Sequence, residues 1–201
     1  ADRQAIIEAG QAANIDAERE LDLSDVWKLV GVFRRREGFN ASEANLIEEG
    51  FNRYDRDQSG EVSTLECGKL LRWLGYPTSW EVQQQYITKV DLDDSGELNL
   101  SETMKMVRMF RDRELQTMCQ AFEKKQQSGS RLISKTEAIS LIRGLGYLDG
   151  LVPPYIILDE DRVPGITGQI EASAPCLDFQ GFMKTAIRFH RLSRDTYRKN
   201  G

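Results

Sequence analysis

Two stretches decide the fold: Asp55-Arg56-Asp57-Gln58-Ser59-Gly60-Glu61-Val62-Ser63-Thr64-Leu65-Glu66 and Asp91-Leu92-Asp93-Asp94-Ser95-Gly96-Glu97-Leu98-Asn99-Leu100-Ser101-Glu102. They start 36 residues apart, the interval from Asp55 to Asp91, and they agree position by position. Oxygen-bearing side chains recur at positions 1, 3 and 5, as Asp55, Asp57 and Ser59 and again as Asp91, Asp93 and Ser95. A hard cation seeks about six to eight oxygens, and a loop of this kind supplies them within one turn of chain. Position 7, Glu61 or Glu97, offers its main-chain carbonyl, and position 9, Ser63 or Asn99, acts through water. Position 12, Glu66 or Glu102, offers both oxygens of a carboxylate. Gly60 and Gly96 fall where the chain turns at a φ that a Cβ disfavours. Val62 and Leu98 at position 8 are β-formers suited to a short bridge between paired loops.

The surroundings of the loops are helical. Leu46, Ile47 and Phe51 precede the first loop, and Leu70, Leu71 and Leu74 follow it. Tyr86, Ile87 and Val90 precede the second, and Met104, Met106, Val107, Met109 and Phe110 follow it, all at helical spacing. Asn40 with Glu43, and Thr78 with Glu81, are expected to form the capping boxes that start the entering helices. Both loops fit the twelve-residue EF-hand pattern. Residues 43–110 resemble one lobe of the calmodulin superfamily, with Leu74-Gly75-Tyr76-Pro77-Thr78 where that family joins its paired hands. The resemblance implies two helix–loop–helix units that bind Ca²⁺, one ion each, and open to expose an apolar groove for an amphipathic helix of a protein partner. Met104, Met106 and Met109 suit such a groove because methionine is flexible and polarizable.

The unit recurs in altered form. Aligning Phe122 with Phe51 carries Glu66 onto Glu137 and Leu74-Gly75-Tyr76 onto Leu145-Gly146-Tyr147 without a gap. Gln126, Ser128 and Ser130 then stand at positions 1, 3 and 5, and Arg131 replaces the glycine. The frame survives without its negative ligands, so no calcium is expected there. Leu21 to Phe33, Leu98 to Phe110 and Leu177 to Phe189 form a second repeat, with copies beginning 77 and 79 residues apart. Such self-similarity predicts five hands: an unpaired hand over 1–37, an intact pair over 38–113 and a degenerate pair over 114–201.

In hand 1, Asn14, Asp16, Glu18, Asp22 and Asp25 supply oxygens, but Arg19 replaces glycine and Asp25 is one methylene short. A structural hand is expected rather than a tight site. In hand 5 the acidic run Asp159, Glu160 and Asp161 lies in an insertion with Pro164, Gly165, Gly168 and Pro175, and Gly181 replaces the bidentate acid. A hand without a partner leaves its apolar face uncovered. The expectation is therefore either that the chain is cut from a longer EF-hand array, or that hand 1 packs on another lobe or on another molecule by self-association.

Composition narrows the function. The 201 residues carry 27 positive and 32 negative charges, and residues 41–110 alone hold 7 and 13. Clustered carboxylates repel one another unless a cation sits among them. The acidic balance argues against nucleic-acid binding. No apolar run reaches the roughly 18 residues of a membrane helix, and no secretory pattern opens the chain. Cys67, Cys119 and Cys176 are too few and too scattered for a disulfide framework and fit a reducing cytoplasm, with cytoskeletal or ciliary association compatible. His190 stands among arginines without a nucleophile at a recognisable spacing, and no phosphate loop or nucleophile elbow is present. Trp27, Trp73 and Trp80 read as helix-packing or surface anchors. Arg34, Arg35 and Arg36, and the tail from Arg188 to Lys199, read as polar helix faces.

The expectation is an all-α, non-enzymatic calcium-binding regulator. Its rivals are a segment of a calcium-responsive structural array and the regulatory region of a larger enzyme.

Overall fold

The computed structural model describes residues 3–16, 20–76, 78–126, 132–144 and 176–200. Glu18, Arg19, Pro77, Ser128, Ser130, Arg131, the Leu145-Gly146-Tyr147 repeat and the whole acidic insertion through Pro175 lie outside them, as does the side chain of Gln126. The protein is all-α. Its described helices are α1 (Arg3–Ala12), α2 (Leu23–Arg35), α3 (Ala41–Tyr54), α4 (Thr64–Leu74), α5 (Trp80–Val90), α6 (Leu100–Gln126), α7 (Lys135–Gly144) and α8 (Phe179–Asn200). Four short strands complete it: β1 (Glu61–Ser63), β2 (Glu97–Asn99), β3 (Ile133–Ser134) and β4 (Cys176–Leu177). Chain contacts divide it into two compact units, Ala1–Phe110 and Arg111–Gly201.

In the first unit β1 and β2 pair antiparallel with Val62 opposite Leu98. Both side chains are fully buried, so the bridge closes the top of the core by joining position 8 of one loop to position 8 of the other. Beneath it α3 packs on α4, and α4 on α5. Phe51, Leu70, Leu71, Ile87, Met106 and Phe110 meet in a single core, each such side chain contributing about 1.5–3 kcal/mol on leaving water. Tyr86 stands edge-on to Phe110 at 4.6 Å between centroids, an arrangement favoured by the ring quadrupoles. Gly50 permits the close crossing of α3 over α4: a Cβ there would lie 2.6 Å from Leu70 Cδ1 and 2.8 Å from the Trp73 ring.

The α3 capping box forms as expected, with Glu43 N–H donating to Asn40 Oδ1 at 2.8 Å and Asn40 N–H donating to Glu43 Oε2 at 3.1 Å. The second expected box does not. The cap of α5 is Ser79, one residue later than Thr78, and its Oγ accepts from Val82 N–H. Counting from Ser79 puts Val82, not an acid, at the third helical position, and Glu81 hydrogen-bonds with Ser79 from the second. The helix leaving the second loop also runs without a break past 113, because nothing between Phe110 and Gln126 is glycine or proline.

In the second unit β3 and β4 repeat the bridge, Ile133 opposite Leu177. Met118, Phe122, Ile142, Phe182, Ala186 and Phe189 form its core. His190 Nδ1 lies 3.8 Å from a Glu114 oxygen. No helix among the described residues is long and apolar enough to cross a membrane.

Candidate calcium centre

Each loop is organised around its first carboxylate. Asp55 Oδ1 accepts from Ser59 N–H at 3.0 Å and Oδ2 accepts from Gly60 N–H at 3.0 Å. Asp91 does the same with Ser95 N–H at 3.1 Å and Gly96 N–H at 3.0 Å. Gly60 and Gly96 stand at φ of 83° and 81°, the left-handed region that glycine enters without penalty. The hydroxyl of Ser59 donates to the Glu61 carbonyl at 3.1 Å, and that of Ser95 to the Glu97 carbonyl at 2.9 Å. Those carbonyls are the position-7 oxygens, so the position-5 hydroxyls aim them. Hydrogen bonds from Ser59, side chain first and main chain second, hold the Asp57 carboxyl below its ordinary range. Ser95 holds Asp93 down in the same way.

The second loop brings ligands together most closely. One carboxylate oxygen each from Asp91, Asp93 and Glu102 lies within 4.8 Å of the others. Three convergent acidic oxygens are a donor set for a hard cation, and the added hydroxyl, amide and carbonyl of Ser95, Asn99 and Glu97 match the oxygen preference of calcium. Glu102 is buried. Its Oε1 accepts from Leu92 N–H and its Oε2 from Asn99 N–H, both at 3.1 Å. In the first loop, Glu66 Oε2 accepts from Ser63 N–H at 3.0 Å and from Ser63 Oγ at 2.7 Å. Thus both position-12 acids sit in the first turn of an exiting helix, α4 or α6, tied to their own position-9 residue.

The degenerate hands keep that last arrangement. Glu137 Oε2 accepts from Ser134 N–H and Oγ, each at 3.1 Å. In hand 1, Asp22 N–H donates to Asp25 Oδ2 at 3.2 Å, and Lys28 Nζ lies 3.4 Å from Asp25 Oδ1. Gly181 leaves Asp178 to cap α8 alone, accepting from Gly181 N–H at 2.7 Å.

Three features escaped the sequence reading. Gln58 and Asp94, at position 4 of each loop, adopt φ of 57° and 58°. An aspartate tolerates that conformation, which makes Asp94 legible, but nothing signals Gln58. Gln83 is buried on α5, and its amide donates to the Thr64 carbonyl at the start of α4. Gly68 makes room for it, since a Cβ at 68 would stand 2.7 Å from Gln83 Oε1. Met104 and Met106 are buried and Met109 half-buried in the core beneath the loops, so this structure holds the lobe closed. Of the tryptophans, Trp73 is core, while Trp27 and Trp80 are exposed.

No protein-family model matches the chain. Among known proteins it is similar to a troponin C isoallergen of Blattella germanica, 27% identical over 149 residues that cover 71% of this chain and 90% of that one. Troponin C isoform 1 of Balanus nubilus is 25% identical over 160 residues, 76% of this chain and 95% of the relative. A second Blattella germanica troponin C isoallergen reaches 32% identity over 68 residues, 34% of this chain and 45% of its own. With two matched twelve-residue loops, antiparallel bridges at position 8 and relatives of this kind, the chain is an EF-hand protein.

Proposed function

We propose that the protein is a non-enzymatic calcium sensor in which two ions, one in each loop of hands 2 and 3, govern access to the apolar interior of that lobe. Asp55, Asp57, Ser59, Glu61 and Glu66 would hold one ion, and Asp91, Asp93, Ser95, Glu97, Asn99 and Glu102 the other. The convergence of Asp91, Asp93 and Glu102 within 4.8 Å is the observation that carries the reading. Bound calcium supplies the positive charge that lets these carboxylates stay together. The chain's own residues do the rest. Glu66 and Glu102 stand on the first turns of α4 and α6, so a shift of either carboxylate toward its loop carries the start of a helix with it. Gln83 ties α5 to α4 and opposes separation of the two hands. Met104, Met106 and Met109 are the surface that separation would uncover for an amphipathic helix of a protein partner.

Hands 4 and 5 keep the bridge and the caps without the acidic triad, which supports a calcium-independent lobe. Three free cysteines, one of them exposed, support a reducing, cytoplasmic setting. The deciding experiment is calorimetric titration of the full chain with calcium, with dye binding to exposed apolar surface read alongside. The expected result is two tight ions and a rise in dye signal. Two ions with no rise would make the lobe a buffer or a structural element, and four or five would overturn the assignment of hands 1, 4 and 5.

A further inference from the structure

The two loops of the first unit differ in how far they are assembled. In the second loop Asp91, Asp93 and Glu102 already converge, and Glu102 Oε1 reaches across the loop to accept from Leu92 N–H. In the first, Asp55, Asp57 and Glu66 form no such trio among the described residues. Glu66 Oε2 accepts from Ser63 N–H and Ser63 Oγ instead. The position-12 acid of the second loop is in place, and that of the first is withdrawn.

Gln83 stands against the helix that carries Glu66. It is 4% exposed, and its side-chain amide donates to the Thr64 carbonyl. Thr64 opens the first turn of α4, two residues before Glu66. Burying an amide is costly unless it is hydrogen-bonded, so this bond fixes where the Gln83 side chain sits. Gly68, on the next turn of α4, leaves the space for it: a Cβ at 68 would stand 2.7 Å from Gln83 Oε1. The degenerate lobe does not keep that glycine. Ile139 occupies the aligned position and packs against the core of its own lobe. The glycine that admits the tie thus belongs to the lobe with acidic loops.

We infer that Gln83 is a positioning residue for the first calcium site: by holding the first turn of α4 against α5 it keeps Glu66 out of its loop, so that the second loop takes its ion before the first. This rests on the calcium reading of the two loops. To bring both carboxylate oxygens to an ion, Glu66 must release Ser63, and its turn of α4 must move toward Asp55 and away from the Gln83 amide. The hydrogen bond belongs to the withdrawn state, so its net worth appears as a deficit in first-loop affinity. A bond of this kind shifts an equilibrium by about two- to tenfold. The second loop is spared, because Glu102 lies on α6 and already converges with its partners.

Calorimetric titration of the full chain with calcium tests the inference, with Glu102→Gln isolating the first loop and Glu66→Gln the second. Gln83→Met keeps the length of the side chain and removes its amide. In the Glu102→Gln chain it should raise first-loop affinity by about two- to tenfold, and in the Glu66→Gln chain it should change second-loop affinity by less than about twofold. Gly68→Ala displaces the same amide from the α4 side and should act in the same direction. The two substitutions together should give little more than either alone, because both remove one bond. In calcium-free protein Gln83→Met should also speed alkylation of buried Cys67, the neighbour of Glu66 on α4, by a similar factor. Faster alkylation without a rise in first-loop affinity would overturn the inference, since Gln83 would then only stabilise the fold. First-loop affinity unmoved by both Gln83→Met and Gly68→Ala would overturn it too, because Glu66 would then reach its ion by a side-chain rotation alone. So would an equal rise at both loops, the mark of a general loosening. A first loop that takes no calcium in any of these chains would overturn the sensor reading as well, which separates that failure from the others.

Discussion

The two paired lobes share a frame and differ in what they hang on it. Hands 2 and 3 join Val62 to Leu98, and hands 4 and 5 join Ile133 to Leu177, in the same antiparallel register. Glu66, Glu102 and Glu137 each accept a hydrogen bond from the N–H three residues earlier. Yet, among the described residues of the two lobes, acidic residues at positions 1 and 3 occur in the first alone. The position-12 acid therefore has two separable duties. It caps an exiting helix in every hand that has it, and it completes a cation site where positions 1 and 3 are also acidic. A glutamate at position 12 is evidence of the fold, and the acids at positions 1 and 3 are evidence of the ion.

The largest expected effect breaks the first lobe at its second loop. Glu102→Gln keeps the size and the hydrogen-bond acceptor but removes the charge that converges with Asp91 and Asp93. Affinity at that loop should fall by about a hundredfold, at or beyond the upper end of what second-shell ligand changes cost. The neighbouring loop should weaken less, through the shared Val62–Leu98 bridge. Calorimetry showing wild-type affinity at both loops would sink the assignment.

Cys67 sharpens the comparison in a chemical readout. It lies just after Glu66, is fully buried and has Ala138 as its counterpart in the second lobe. Burial first, and the Glu66 charge second, push its thiol up to about 12. Exposed Cys176 should alkylate at least about a hundredfold faster at mildly alkaline pH, because the thiolate is the reacting form. The linkage sign follows. A thiol whose folded pKa lies above its unfolded value favours the fold below the ordinary thiol pKa. That contribution is lost as pH rises from about 9 towards 12. Mass spectrometry after timed alkylation checks the order, and equal rates would mean that the core under the first loop opens freely.

Much of this was legible in the chain and some was not, for physical reasons. Ligand spacing is local, so the loops, their glycines and the exiting helices could be read directly from 55–66 and 91–102. The shift of the α5 cap from Thr78 to Ser79 was not legible, since both residues are good caps and the choice depends on where Trp80 lies. Gln83 resembles any surface glutamine until Gly68 and the Thr64 carbonyl are brought against it. The three methionines read as a groove, and in this structure they belong to a closed core. Sequence spacing places them on the helix but does not report which state that helix is in.

A middling effect probes the helix crossing in the first hand of each lobe. Hand 2 has Gly50 against Trp73, and the aligned positions of hand 4 are Ala121 and Gly144. Both are small, so the crossing in hand 4 carries no large side chain at either position. Gly50→Ala puts a methyl within 2.6 Å of Leu70 and 2.8 Å of Trp73, an overpacking that costs about 1–3 kcal/mol. Gly144→Ala should cost nothing by this route, because a Cβ there meets no atom within 4 Å. Thermal unfolding of the two variants should separate them, and equal losses would mean that the crossing in hand 2 relaxes without strain.

The smallest effect repeats the Glu102 substitution in the lobe that lacks the acidic triad. Glu137 Oε2 accepts from Ser134 N–H and Oγ, and Glu137 N–H donates to Ser134 Oγ at 3.3 Å. Glutamine serves a capping box as well as glutamate, because a carbonyl oxygen accepts the same bonds. Glu137→Gln should therefore change stability by less than about 0.5 kcal/mol and leave calcium stoichiometry alone, while Glu137→Ala should lose about 1 kcal/mol with the cap. One substitution, glutamate to glutamine, is then nearly silent at 137 and severe at 102. A drop in calcium binding on Glu137→Gln would show that hand 4 recruits an ion without acids at positions 1 and 3, and the division of duties drawn from the two lobes would fail.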